Sequence, residues 1–385
     1  MHLGITSDCI HYKNEEGHVG TENHILLRQL EQLATHFEST TIVCPFIPID
    51  DTKVISWYNQ PIQFIEVPNV GGKTVWDKLQ IFTVFSKWIK AFKKVDKVSD
   101  IVYQRFPNNL NIPGFFYFYF KNKKVFATYT GSWQGKETFT YGFQKWLLKK
   151  VFRGPVWVYI AGHSATINRI KPGFSPSYTE AEWNEETRQV NERIATIKRD
   201  GINFFSLISV GKLIDYKNQL TILKACVILK RQQFPFRLKI VGDGPMYGEL
   251  SNFISQNKLG DCVELAGKKN YQQLRELYRQ ADFVLQAPLK EGFGKVPIEG
   301  LFHGVVPVLN HITMAGYMAG ENEERGFLFD ASNPKNIADK LLEIKNKISV
   351  MPNMIENGRE FAKKQTLESW ANEYYATVCE FYKKS

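Results

Sequence analysis

Short apolar runs alternate along this chain with segments of helical period. In the first half the runs are His2 to Thr6, Thr41 to Cys44, Gln63 to Val67, Asp100 to Gln104, Lys124 to Thr128 and Val156 to Ile160. Continuous rather than alternating apolar character is the pattern of strands buried on both faces of a parallel sheet. Between them lie the amphipathic segment Thr21 to His36 and the residues Val75, Leu79, Phe82, Phe85, Ile89 and Phe92, which advance by 4, 3, 3, 4 and 3 and predict a helix with that stripe in the core. A further helix is predicted over Glu137 to Phe152, with Phe139, Phe143, Leu147 and Val151 inward. The stretch Lys171 to Ser177 is rich in Pro, Gly and Ser and reads as a linker, followed by a charged run, Ala181 to Arg199, that predicts a solvated helix.

From Phe204 the alternation restarts. Strands are predicted at Phe204 to Val210, Arg237 to Val241, Cys262 to Leu265, Asp282 to Gln286 and Val305 to Leu309. Helices are predicted at Lys217 to Arg231, Pro245 to Asn257, Tyr271 to Gln280 and Pro297 to His303. Strand and helix in turn, twice over, predict an α/β chain of two Rossmann-like, doubly wound parallel sheets. The expected domains are 1–172, a linker and helix at 173–200, 201–365, and a C-terminal helix at 366–385. No repeat of solenoid length and no low-complexity tract interrupts the pattern.

The stretch with the most chemistry is Glu291-Gly292-Phe293-Gly294-Lys295-Val296-Pro297-Ile298-Glu299, between a predicted strand and a helix. Two glycines let backbone approach a ligand, and Pro297 suits a first helical turn, where its missing N–H is no loss. The helix N-terminus offers free amides to an anion, and the two carboxylates offer acceptors to hydroxyls; phosphate on the one and sugar on the other suit a nucleotide sugar. The plainer alternative is that Glu299 only complements the helix dipole and Glu291 only ends a strand.

Glu291 to Glu299 with the following Gly300 to Leu309 resembles the E-x7-E signature of retaining glycosyltransferases of family 4. So do Gly211-Lys212-Leu213 with Lys217, Val241-Gly242-Asp243-Gly244-Pro245, and Ser369-Trp370, in that family's order over roughly residues 204 to 385. The resemblance implies a GT-B fold, with the two domains facing across a cleft and the last helix crossing back to the N-terminal domain. It implies a nucleoside diphosphate sugar as donor; the lysines and the helix N-terminus would take the place a metal would fill, so no metal is expected. Lys212 and Lys217 would meet the diphosphate beside Gly211 and Gly242. The amides of Phe293, Gly294 and Lys295 would meet the phosphates, Glu299 the ribose, Glu291 the transferred sugar, and the region from Gly267 to Tyr271 the base. Family members usually carry Arg where this chain has Lys212, which keeps the charge and loses the bidentate fork. Before residue 180 the resemblance is weaker. Its glycine-paired loop corresponds to Gly17 and Gly20, here three apart, and the His or Asp that many relatives carry after a strand is replaced by Thr130 and Ser132. His163 is then the candidate imidazole for the sugar. The resemblance also implies a glycan or lipid-linked acceptor, and a hexose-type transfer in bacterial cell-surface polysaccharide or glycoconjugate synthesis.

Charge adds one feature that the pattern lacks. The net charge is +10, but residues 73 to 153 hold 16 Lys and Arg against 4 acids, a net of +12, and leave −2 for everything else. Lys87, Lys90, Lys94 and Lys97 recur by 3, 4 and 3 on one helix, and Lys145, Lys149 and Lys150 on another, with Trp88 and Trp146 expected beside them on the surface. A basic face of this kind predicts an anionic membrane surface or an acidic acceptor as a partner. Nucleic acid is a poorer fit, because no aromatic RNP-like strand accompanies the lysines.

The five cysteines are scattered without metal-ligand spacing and, with the absence of a basic n-region or of roughly 18 uninterrupted apolar residues, predict a cytoplasmic protein, peripheral at most on the inner face of the cytoplasmic membrane. Asp50-Asp51 is a loop pair and predicts no metal site. No G-x-G-x-x-G follows the first strand, which argues against an oxidoreductase. Two carboxylates at Glu291 and Glu299 would also suit a glycoside hydrolase, but the glycine turn and nearby lysines fit phosphate departure better. The alternatives left are another enzyme on the same scaffold, a nucleotide-sugar epimerase or phosphorylase, and a non-catalytic binder of nucleic acid or another anion.

Overall fold

The computed structural model describes residues 1–49, 54–70, 75–133, 138–160, 169–312, 314–320 and 322–383, and of residues 75–82 the backbone alone. It divides into two compact units: residues 1–177 together with 367–385, and residues 178–366.

The first unit is built on a seven-stranded parallel sheet. Its strands are β1 (His2–Thr6), β4 (Ser39–Pro45), β6 (Gln63–Val67), β7 (Ile101–Phe106), β8 (Lys124–Tyr129), β9 (Val156–Val158) and β10 (Ile170–Pro172), in the order β10-β9-β8-β7-β1-β4-β6. A small antiparallel sheet of β2 (Tyr12–Lys13), β3 (Val19–Thr21) and β5 (Ser56–Trp57) stands apart. The helices are α1 (His24–Ala34), α2 (Val75–Val98), α3 (Asn111–Phe120) and α4 (Phe139–Lys150). β10 takes up the start of the expected linker. Lys171 and Pro172 pair with Trp157 and Val158 at the sheet edge, where a proline costs no ladder hydrogen bond.

Two expected core stripes turn out rotated. Among the described side chains of α2 the buried ones are Val84, Trp88, Ala91, Phe92 and Val95, packed against a floor that includes Gly4, where an added Cβ would lie 2.7 Å from Val95. Trp88 is therefore a core residue, 2% exposed, and not the surface residue expected, while Phe85 is 47% exposed. On α4 Leu147, Leu148 and Gln144 are buried, and Phe139 and Phe143 point outward. Trp146 is exposed, as expected.

The second unit has the six-stranded parallel sheet β13-β12-β11-β14-β15-β16, formed by β11 (Phe205–Val210), β12 (Phe236–Val241), β13 (Val263–Gly267), β14 (Phe283–Gln286), β15 (Val306–Asn310) and β16 (Phe327–Phe329). Its helices are α5 (Glu180–Asp200), α6 (Gln219–Arg231), α7 (Tyr247–Gln256), α8 (Tyr271–Arg279), α9 (Lys295–Phe302), α10 (Ala315–Ala319), α11 (Pro334–Lys345) and α12 (Met351–Lys363). α5 starts at a capping box, Thr179 with Glu182, and buries Glu186, Val190, Ile194 and Ile197. The charged run read as a solvated helix is thus one wall of the second unit's core.

The last helix, α13 (Leu367–Lys383), belongs to the first unit. Tyr374 stacks on Trp157 at 3.8 Å and its hydroxyl lies 3.1 Å from Thr128 Oγ1. The Tyr382 hydroxyl donates to the Val125 carbonyl at 2.6 Å, and Trp157 Nε1 donates to Glu373 at 2.9 Å. These pairs fix the helix by aromatic area and satisfied polar tips at once.

Candidate functional site

In each unit the strand order reverses once, and ligands of open α/β sheets bind outside the carboxyl ends of the strands at that reversal. In the second unit the reversal lies between β11 and β14. β11 runs out into Gly211 and Lys212, then a single 3-10 turn ending at Lys217; β14 runs out toward Glu291. The two loops are tied by the Leu289 amide donating to the Tyr216 carbonyl at 2.7 Å. Across them Lys217 Nζ donates to Glu291 Oε2, two residues 74 apart in sequence, with side chains 17% and 26% exposed. Lys212 is exposed, with no carboxylate within ion-pair distance among the described residues.

From Glu291 the chain turns into α9. Phe293 is buried and anchors the loop, so what it offers a ligand is backbone. Gly294 has φ +76 as the N-cap, a left-handed position that glycine occupies without strain. The first turn of α9 is Lys295, Val296 and Pro297, and Pro297 has no N–H to leave unsatisfied. Lys295 is partly exposed.

Glu299 sits one turn into α9, 5% exposed, and accepts from the Tyr278 hydroxyl at 2.9 Å. Tyr278 is delivered by α8, which starts at a capping box of Asn270 and Gln273. Its fully buried ring stacks on His303 at 5.4 Å and 15°. His303 Nε2 lies 3.1 Å from the Tyr178 hydroxyl, and Nδ1 lies 3.1 Å from Glu186 Oε2. Glu186 also accepts from Arg275 Nη2 at 2.6 Å and from Arg279 Nη2 at 2.6 Å and Nε at 3.1 Å. Burial alone would raise the Glu186 pKa, but His303 and the two guanidiniums hold it far below the usual carboxylate range. For His303 burial dominates and keeps the ring less basic than usual, despite Glu186. The carboxylate that the E-x7-E pattern singles out is thus held from behind by a buried aromatic and ionic scaffold, of which the sequence pattern gave no sign.

Gly242 has a packing reason of its own. A Cβ there would lie 1.9 Å from the Gly211 carbonyl oxygen, and one at Gly244 would lie 2.4 Å from that of Leu213. The loop after β12 therefore presses directly on the loop after β11 and braces Gly211, whose amide donates to Val241 at 2.9 Å.

In the first unit Gly17, at φ +88, makes the turn between β2 and β3 in place of the open loop expected. Gly20 lies in β3, where a Cβ would be 2.4 Å from the Ser56 carbonyl. Thr130 donates its hydroxyl to the Phe106 carbonyl at 3.1 Å, and the Ser132 carbonyl accepts from Lys145 at 3.2 Å. His163 lies outside the described residues, as does the Asp50-Asp51 pair. The reversal of this sheet falls between β1 and β7, and there the sequence pattern missed two charged residues, Asp8 just past β1 and Arg105 near the end of β7. Asp8 keeps surface open to solvent, yet its carboxyl is enclosed enough that burial pushes its pKa up to about 6, against the pull of Arg105. Arg105 Nη1 makes long contacts, 3.5 Å each, to Gln29 Oε1 and the Tyr103 hydroxyl. Only the strand order would have disclosed this pair. Among the described residues no group of three or more His, Cys, Asp or Glu is placed to hold a metal.

Residues 196–361 match the family described as "Glycosyl transferases group 1". The chain is 30% identical over 133 residues to an uncharacterized glycosyltransferase, MJ1178, of Methanocaldococcus jannaschii, covering 34% of this chain and 37% of that protein. It is 28% identical over 134 residues to the putative colanic acid biosynthesis glycosyltransferase WcaL of Escherichia coli, covering 31% and 33%. The match thus spans about a third of each curated relative. The crystal structure of Anabaena Alr3699/HepE in complex with UDP superposes with a TM-score of 0.68 at 13% identity, over 99% of this chain and 100% of that one. The fold is therefore GT-B, two Rossmann-like units in one chain, and the similarities support a glycosyltransferase.

Proposed function

We propose that the chain is a retaining glycosyltransferase of the family 4 type, moving a hexose-type sugar from a nucleoside diphosphate sugar to a glycan or lipid-linked acceptor, without a metal, at the cytoplasmic face of a bacterial membrane. The observation that carries the reading is the meeting of Lys217 and Glu291 at the β11–β14 reversal, beside the N-terminus of α9 and the buried Glu299. HepE binds UDP in its solved complex, and WcaL is named for colanic acid biosynthesis, which favours a nucleotide-sugar donor and a polysaccharide product here.

When a nucleoside diphosphate departs, negative charge grows on its phosphates, and preorganised donors lower that barrier most. Lys212 and Lys217 supply mobile positive charge and the amides at Phe293, Gly294 and Lys295 supply fixed dipoles. Lys217 donates to Glu291, so a diphosphate would give the ammonium a second anionic partner while Glu291 keeps an oxygen for a sugar hydroxyl. Glu299, held by Tyr278, takes the ribose hydroxyls. Gly211 and Gly242 shape the loop, and on the acceptor side Gly17, Gly20 and His163 keep the roles that the family resemblance assigns. The test is a panel of nucleotide sugars with and without chelator, reading released nucleotide and assigning the product linkage by NMR. Turnover of one donor in chelator with the anomeric configuration kept is expected. No turnover of any donor with a range of acceptors, a requirement for Mg²⁺ or Mn²⁺, or an inverted linkage would each refute the corresponding part.

A further inference from the structure

Among the described residues seven Phe or Trp side chains are more than a third exposed, and six of them, Phe85, Phe116, Phe120, Phe139, Phe143 and Trp146, fall between residues 85 and 146. That is the section holding the charge excess of +12. Two independent properties, apolar exposure and cationic charge, thus coincide on α2, α3 and α4 of the first unit.

The coincidence has a centre. α3 reads NIPGFFYFYF and is apolar on every side, but only one side faces the sheet, through Phe115 and Phe118. The other side, with Phe116 and the 79% exposed Phe120, is left uncovered by the described residues of this unit. Because α2 turns Val84, Trp88 and Val95 inward, its Phe85 and Ile89 fall on the flank toward α3. Phe85, Ile89, Ile112, Pro113, Phe116 and Phe120 together line an open apolar groove. Lys93 continues the line of Phe85 and Ile89 by one more turn, and Lys87, Lys90, Lys94 and Lys97 are exposed along the same helix. The one carboxylate on this part of α2, Asp96, is already taken by Lys123 at 3.0 Å. Lys121 and Lys124 follow the end of α3.

An apolar centre of aromatic rings with a fringe of one charge sign is unlike a protein–protein interface, whose polar rim carries both signs and whose core is depleted of lysine. It fits the boundary of a bilayer with anionic headgroups, where Phe rings enter the acyl edge and lysine stems lie along it with their ammonium groups at the phosphates. We propose that the α2–α3 groove and its lysines dock the first unit on an anionic lipid bilayer. The proposal deepens the reading of a membrane-presented acceptor and rests on it for purpose, while its test uses neither donor nor acceptor.

The full chain would be sedimented with vesicles of phosphatidylcholine alone and with phosphatidylglycerol added, over a series of salt concentrations. Wild type should prefer the anionic vesicles, and the preference should fall steeply with salt. Phe116→Asp/Phe120→Asp should weaken attachment about tenfold or more on the anionic vesicles. Lys90→Gln/Lys93→Gln/Lys94→Gln should lose roughly fivefold per lysine, and most of the salt dependence with it. Both variants change exposed side chains, and thermal melting unchanged from wild type is the check that each is folded. Equal partition of wild type on both vesicle types, or folded variants that bind as wild type does, would overturn the proposal. So would a Phe variant that only converts a dimer to a monomer in solution, since the face would then join two copies of the chain. Nucleotide release from a donor, measured on the same variants in free solution, should be unaffected; its absence in wild type would count against the glycosyltransferase reading and leave the docking result standing.

Discussion

Replacing Tyr278 by Phe isolates what the buried scaffold does for Glu299. The substitution removes one oxygen, keeps the ring stacked on His303 at 5.4 Å, and leaves Glu299 without the donor at 2.9 Å. Both side chains are almost fully buried, so bulk water has little access to replace the lost hydroxyl. A hydrogen bond to a charged group contributes about 1.5–3 kcal/mol, and burial argues for the upper part of that range. The bond holds Glu299 in the free as in the bound protein, so its energy is the ceiling on the loss at the ribose: if Glu299 binds the ribose equally in the ground and transition states, nucleotide affinity drops by up to roughly 10- to 150-fold while kcat changes little. Calorimetric titration of the donor's nucleoside diphosphate into wild type and variant, with donor KM and kcat from nucleotide release, measures both. A 2′,3′-dideoxynucleotide gives the control, since its affinity should be nearly the same for the two proteins. Variant affinity within about threefold of wild type, or an equal loss for the dideoxy analogue, would show that Tyr278 does not act through Glu299 on the ribose.

Glu299→Ala and Lys217→Ala should each lower kcat/KM by roughly 2–4 kcal/mol of transition-state stabilisation with the fold intact, and near wild-type kcat/KM in either would remove it from the site. Glu186→Ala should destabilise the second unit by about 3 kcal/mol, because it removes the buried carboxylate that Arg275, Arg279 and His303 share and leaves Arg275 to Glu182 and Glu185 and Arg279 to the exposed Glu276; denaturant unfolding measures it, and a midpoint close to wild type would contradict the burial argument. Asp8→Asn bears on pH. The folded pKa of about 6 lies above the ordinary 3.8, so the folded state holds this proton more tightly and loses stability as pH rises from about 4 to about 6. The variant should therefore melt higher than wild type near neutral pH and no higher at about pH 4; the same difference at both would place the effect elsewhere than in titration of this carboxyl.

The sequence by itself determined the two alternating series and the location of one loop. The run Asp282 to Gln286 is legible because its centre, Phe283 to Leu285, is continuously apolar, as a strand buried on both faces requires, and β14 follows at Phe283–Gln286. The loop from Glu291 to Glu299 is legible because its glycines, proline and carboxylates stand together in sequence. Faces were less legible. Both Phe85 and Trp88 lie on apolar stripes of α2, and periodicity says that a stripe exists, not which stripe the sheet will cover; packing took Trp88 inward and left Phe85 out. Phe139 and Phe143 went outward on α4 in the same way. Partners remote in sequence were not legible at all. Glu186 lies in a run that reads as solvated, and its burial became tolerable only when Arg275, Arg279 and His303 arrived from elements about 90 to 117 residues away. Asp8 and Arg105 came together because β1 and β7 are neighbours where the sheet reverses, a matter of strand order. Local pattern fixes which segments must be buried, since hydrophobic transfer acts residue by residue. Which charges meet, and which aromatic faces stay uncovered, depends on distances that exist only once the chain has folded.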